Sequence, residues 1–177
     1  SGSSMAHQGV INSAVAVADA LDKATSMLSF CVPECNSLGL ALMVADGSGS
    51  SLSGLAKRAS KLDALIILEN DVYRRGDKSA IDQLLSSGAK VITLDMFENS
   101  TLDQSDLVMA AASYAESQGT LVSSESRAQR FYPVHSPAAE RLPSWQWLLR
   151  LACATGHKKL SKLAHFDEIV AACSQSN

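Results

Sequence analysis

Apolar positions along the chain change period several times, and each change marks an element. Val10 to Ala24 (VINSAVAVADALDKA) places Ile11, Val15 and Ala18 at helical spacing and predicts a helix packed on something. Ser26 to Val32 is a short mixed apolar run ended by Pro33, which reads as a strand. Asn36 to Val44 is apolar again, with Asn36 or Ser37 placed to cap a short helix. Asp46 to Gly54 is a loop of Gly and Ser, and Leu55 to Lys61 a short helical stretch. Ala64-Leu-Ile-Ile-Leu68 is unbroken apolar sequence, the pattern of a parallel strand covered on both faces.

Asp77 is set to cap a helix over 79–87 that aligns Ile81, Leu84 and Leu85, with Gly88 as its stop. Lys90 to Leu94 (KVITL) is the next strand, so strand, helix and strand follow with short joints, the order that gives parallel pairing through a right-handed crossover. Leu107 to Met109 adds a strand, Ala110 to Glu116 reads as a short helix ended by Gly119, and Thr120 to Val122 has strand character. Phe131-Tyr-Pro133 and Pro137 mark an extended passage without regular pairing. Pro143 to Gly156 is a helix with Trp145, Leu148, Leu149 and Ala152 on one face, and a last helix covers about Asp167 to Cys173. The expectation is an α/β protein, a Rossmann-like three-layer fold with a largely parallel sheet over residues 10–137 and a short helical tail over 138–177 packed on it. Residues 1–9, small and polar around Met5, read as a cloning remnant.

Composition narrows the function classes. A chain of 177 residues is long enough for one compact domain that folds without disulfide or metal. Its net charge of -3 builds no basic field for nucleic acid or an anionic membrane surface. The longest mainly apolar run, Leu38 to Ala45, is far below the ~20 residues that span a bilayer. The N-terminus lacks the layout of a signal peptide, and the default is a soluble protein in a reducing compartment.

Candidate chemistry is sparse. Cys31 and Cys35 are separated by three residues, and Cys153 and Cys173 sit singly in apolar helical patterns, so no metal or cluster motif forms and no metal site is expected. The Gly/Ser loop lacks both the dinucleotide and the Walker spacing. His135, His157 and His165 have no evident catalytic partner. Glu69, Asn70 and Asp71 stand at the carboxyl end of the 64–68 strand, where open α/β sheets bind ligands, with Arg74 and Arg75 able to hold a phosphate or a carboxylate. In Glu116 to Phe131 (ESQGTLVSSESRAQRF), Glu116, Glu125, Arg127 and Arg130 are read as a structural clamp of hydrogen-bonded ion pairs, with Glu125 to Arg127 or Arg130 as the pinning pair.

The run Asp95, Phe97, Thr101, Ser105-Asp106, an apolar strand, Glu116, Gly119-Thr120, and Glu125, Arg127 and Gln129-Arg130 resembles a signature of the molybdopterin oxidoreductase superfamily. Within it, Pro33 to Met43, Ile66 to Arg75, Ser113 to Tyr132 and Ser144 to Leu148 look like the C-terminal region of the large iron-sulfur subunit family of bacterial NADH-quinone oxidoreductases, respiratory complex I. The resemblance implies a fragment of that subunit, a structural domain of the peripheral arm without catalytic residues or a cofactor of its own. Its implied neighbours are the upstream iron-sulfur domains of the same subunit and other peripheral-arm subunits, with FMN elsewhere in the complex. Its implied place is the cytoplasmic face of the bacterial inner membrane, without direct insertion. Where molybdopterin enzymes have Gly in Glu-Gly-Arg, this chain has Ser126; Ala110 stands where they often have Pro, and Asn70-Asp71-Val72 where relatives have Asn-Pro or Asp-Pro. Two alternatives stay open: a cofactor-binding fragment of a molybdenum enzyme of the formate dehydrogenase or nitrate reductase type, using Glu69, Asn70 and Asp71, and a nucleotide-binding module.

Overall fold

A computed structural model describes residues 5–21, 27–28, 34–45, 47 and 49–175. Most of the strand expected over 26–32, and Cys31 with it, lies outside them. Helix α1 (Met5–Ala20) starts inside the segment read as a cloning remnant. It leaves Val10, Ile11, Val15 and Val17 exposed.

The centre is a three-stranded parallel sheet, β1 (Ala64–Leu68), β2 (Lys90–Asp95) and β3 (Leu107–Ala110), in the order β1-β2-β3. Before it in the chain come α2 (Ser37–Met43) and α3 (Leu52–Ala56), and between β1 and β2 runs α4 (Lys78–Leu85). Asp77 caps α4 by accepting from the amides of Ser79 and Ala80, and Gly88 ends the turn after it at φ +93°, a conformation open to glycine. Ile81 and Leu85 of α4 pack on Ile67 and Val91 with Val72, which makes this sheet face the core. At the amino end of the sheet, Asp106 accepts from the Val91 amide at 2.8 Å and from Lys90 Nζ at 2.7 Å, tying β3 to β2.

The opposite face corrects one expectation. Side chains alternate along a strand, so Ile66 and Leu68 point away from α4, and both are nearly half exposed, at 47% and 46%. The unbroken apolar run therefore reports two apolar faces, of which one packs on α4 and the other is buried at Leu94 but left partly open at Ile66 and Leu68 by this chain's described residues.

After β3 the chain departs again from the predicted order. Ala110 completes β3, and the predicted helix over 110–116 shrinks to one 3-10 turn, Tyr114–Glu116. Gly119 opens a strand instead of ending a helix: β4 (Gly119–Val122) pairs antiparallel with β5 (Ala128–Phe131), so Phe131 is regularly paired. The short β-branched content of 119–131 hid this hairpin, because its pairing comes from the turn at Ser123 to Arg127 and from side chains far away in sequence. The C-terminal part is α5 (Ser144–Ala154) and α6 (Phe166–Gln175), joined through the Trp145–Phe166 ring contact at 5.6 Å.

Candidate functional site

The carboxyl ends of β1 and β2 lie on the edge of the sheet at which open α/β folds take ligands, and the side chains there are engaged with one another. Asp71 Oδ1 accepts from Thr101 Oγ1 at 2.9 Å and from the Tyr73 amide at 3.2 Å. The fully buried Thr101 accepts in turn from the Val72 amide at 3.0 Å. Asp95 accepts from the amides of Met96 and Phe97 and from Asn99 Nδ2. Glu69, held at φ +46°, accepts a hydrogen bond from Ser144 Oγ at the start of α5. Asn70 Oδ1 accepts from Arg75 Nε at 2.9 Å, and Arg75 Nη1 meets Glu34 at 2.5 Å.

Three carboxylates thus line the strand ends, each accepting at least one hydrogen bond from a local donor. Of the two arginines that sequence placed beside them, Arg75 is neutralised by Glu34 and Arg74 is exposed. This arrangement fixes loops. The Gly/Ser loop does similar work, with Ser51 Oγ accepting from the Gly54 amide as the cap of α3 and Arg58 donating to Ser50 Oγ. Among the described residues no group of three or more His, Cys, Asp or Glu could hold a metal ion, and no helix is long and apolar enough to cross a membrane.

A second cluster centres on Glu116, only 3% exposed. Its Oε2 accepts from the Ser113 amide at 2.9 Å and from Ser113 Oγ at 3.0 Å; its Oε1 accepts from the Ala138 amide at 3.3 Å and Arg141 Nη2 at 3.0 Å. His135 Nδ1 lies 4.0 Å away. These donors, the Ser113 amide foremost, hold the Glu116 carboxyl below its ordinary value although burial pulls it up. The cluster walls a cleft of about 570 Å³ with Gln118, Pro137 and Gln146.

The residues named for the clamp do not pair with one another among the described residues. Glu125 and Arg127 are exposed and make no ion pair among the described residues, so the expected pairing of Glu125 with Arg127 or Arg130 is absent there. They flank the tip of the β4–β5 hairpin, where solvent competes for both charges. Arg130 instead reaches Asp167 at 2.7 Å and stacks its guanidinium 4.6 Å from the Phe166 ring centre, joining β5 to α6. Sequence reading missed Arg141 and Ser144 and gave Asn36 the role of a helix cap; Asn36 stands at the N-cap of α2, but its Oδ1 accepts instead from the Val122 amide at 2.8 Å and ties α2 to β4. Only Glu116 carried a local signal, the Ser113-x-x-Glu116 spacing of a capping box.

The model of the family described as molybdopterin oxidoreductase matches residues 7–154, the sheet, the hairpin and all of α5 among them. The chain belongs to the molybdopterin oxidoreductase family. Within this family it is similar to the NADH-quinone oxidoreductase G subunit of Pseudomonas putida, 35% identical over 182 residues that cover 99% of the chain and 20% of the relative. The same subunit of Shewanella oneidensis is 38% identical over 81% of the chain and 16% of its own length. That of Escherichia coli O6:H1 is 35% identical over 84% of the chain and 17% of its own length. The chain spans about one fifth of the length of the P. putida relative. The molybdopterin oxidoreductase resemblance also gives Ser126 a physical meaning, because it stands in the signature's glycine position and adopts φ +63°, where an L side chain is strained.

Proposed function

We propose that this chain is a non-catalytic structural domain of the large iron-sulfur subunit of an NADH-quinone oxidoreductase. In this reading it supports electron transfer from NADH to quinone by packing within the peripheral arm on the cytoplasmic face of the membrane. The carrying observation is the 35% identity over 99% of the chain to a subunit of that enzyme. Iron-sulfur clusters and FMN then belong to other parts of the subunit and of the complex.

The molybdopterin group that the family name implies does not fit the strand ends. A pterin phosphate or dinucleotide is anionic, and the groups at the strand ends are Glu69, Asp71 and Asp95, which accept hydrogen bonds from Ser144, Thr101, Asn99 and backbone amides. Binding there would set phosphate against carboxylate. That chemistry favours the structural reading over a formate dehydrogenase or nitrate reductase type of site. Glu116 with Ser113, Ala138 and Arg141 is then the clamp of the domain, with Arg130 as a second tie.

The experiment is to place Glu116→Gln in the native subunit and measure assembled complex and turnover separately. The expected outcome is less assembled complex with unchanged NADH-quinone turnover per complex. A tenfold loss of turnover per assembled complex would contradict a structural role.

A further inference from the structure

The sheet face turned away from α4 is a regular apolar surface. The strand register sets Ile66 beside Ile92 and Ile92 beside Leu107, then Leu68 beside Leu94 and Leu94 beside Met109, which makes two rows of three side chains. Ile66, Leu68 and Leu107 are 46–47% exposed, Ile92 and Met109 are half-buried, and Leu94 in the central strand is fully buried, so the open part of the face is its two outer strands and the Ile92 row. Charges border the patch: the Lys90–Asp106 pair at the amino end, Glu69 and Asp95 at the other. An apolar centre with a polar rim is how stable protein interfaces are built, and parallel sheets are covered on both faces.

We propose that this face docks an apolar helical surface from the part of the subunit polypeptide outside these 177 residues. The inference rests on the structural reading above and assigns the contact surface within it. Length argues for that occupant, since about four fifths of the P. putida relative lies beyond the matched region. Tethering argues for it too: a segment of the same polypeptide acts at an effective concentration of about millimolar, far above that of a second copy. The rows carry no charge, so the occupant's contacting side is aliphatic or aromatic rather than an anionic lipid surface or a phosphate.

The test is thiol labelling by a maleimide, read by peptide mass spectrometry, in Ile66→Cys and Leu107→Cys. Each rate is divided by the rate in the urea-unfolded protein, and Leu68→Cys replaces any variant that fails to fold. In the 177-residue chain both positions should label near the unfolded rate; in the full-length subunit both should slow by about 100-fold. Equal labelling in the two proteins would overturn the proposal. So would protection already present in the 177-residue chain, which would assign the face to α1, or to a second copy if protection rose with concentration. These rates are independent of turnover per complex, so the face assignment can fail while the structural reading stands.

Discussion

Arg141 donates to Glu116 at 3.0 Å across 25 residues of sequence, and the same carboxylate gathers Ser113 and the Ala138 amide. One buried side chain therefore joins the end of the β3 segment, the approach to the hairpin and the entry to α5. Removing it leaves two amides and a guanidinium without their acceptor. Glu116→Ala should lower the melting temperature by about 5–10 °C, whereas the exposed Glu125→Ala should change it by less than about 2 °C. Thermal unfolding followed by circular dichroism compares the two.

The same cluster sets an acid limit. The folded carboxyl of Glu116 titrates below the ordinary value of 4.5, so its contribution is fully present above that value. It is lost as pH falls through the lower folded value. The melting-temperature gap between wild type and Glu116→Gln should be constant from pH 7 to about 5 and shrink below about 4. A gap that widened on acidification would reverse the sign.

Thr101 links the β1 loop to the segment after β2 by accepting from Val72 and donating to Asp71. Thr101→Val keeps the shape and removes the hydroxyl in a fully buried position. The orphaned Val72 amide should cost about 1–3 kcal/mol, read from urea denaturation midpoints at an unchanged slope.

Ser126 offers a change in the other direction. Its φ of +63° is strained for an L side chain and free for glycine. Ser126→Gly should stabilise the domain by about 0.5–1 kcal/mol in the same urea experiment. No change or a loss would show that the turn from Ser123 to Arg127 draws on the Ser126 side chain.

The α4 crossover was legible because Asp77, Ile81, Leu84 and Gly88 each act within a few residues of one another, and strands 64–68 and 90–94 announce themselves by β-branched and aliphatic runs. Ser126 was legible only against the resemblance, as a departure whose backbone reason the structure supplies. The β4–β5 hairpin was not, since Asn36 anchors it from 86 residues away and Gly119 serves there to admit the Phe131 ring, which a Cβ would strike. Ser144 reaches Glu69 across 75 residues and Arg141 reaches Glu116 across 25, distances over which periodicity and capping rules carry no information. The open apolar face was misread for a related reason: a run such as Leu65 to Leu68 records that both faces want cover, without recording which polypeptide supplies it.

Elemental and pterin analysis of the native full-length subunit decides whether the domain is structural or holds a resident pterin. Iron without molybdenum, tungsten or pterin above background is the expected result. Molybdenum or tungsten with pterin in stoichiometric amount, lost on disrupting Glu69, Asn70 and Asp71, would contradict a structural domain.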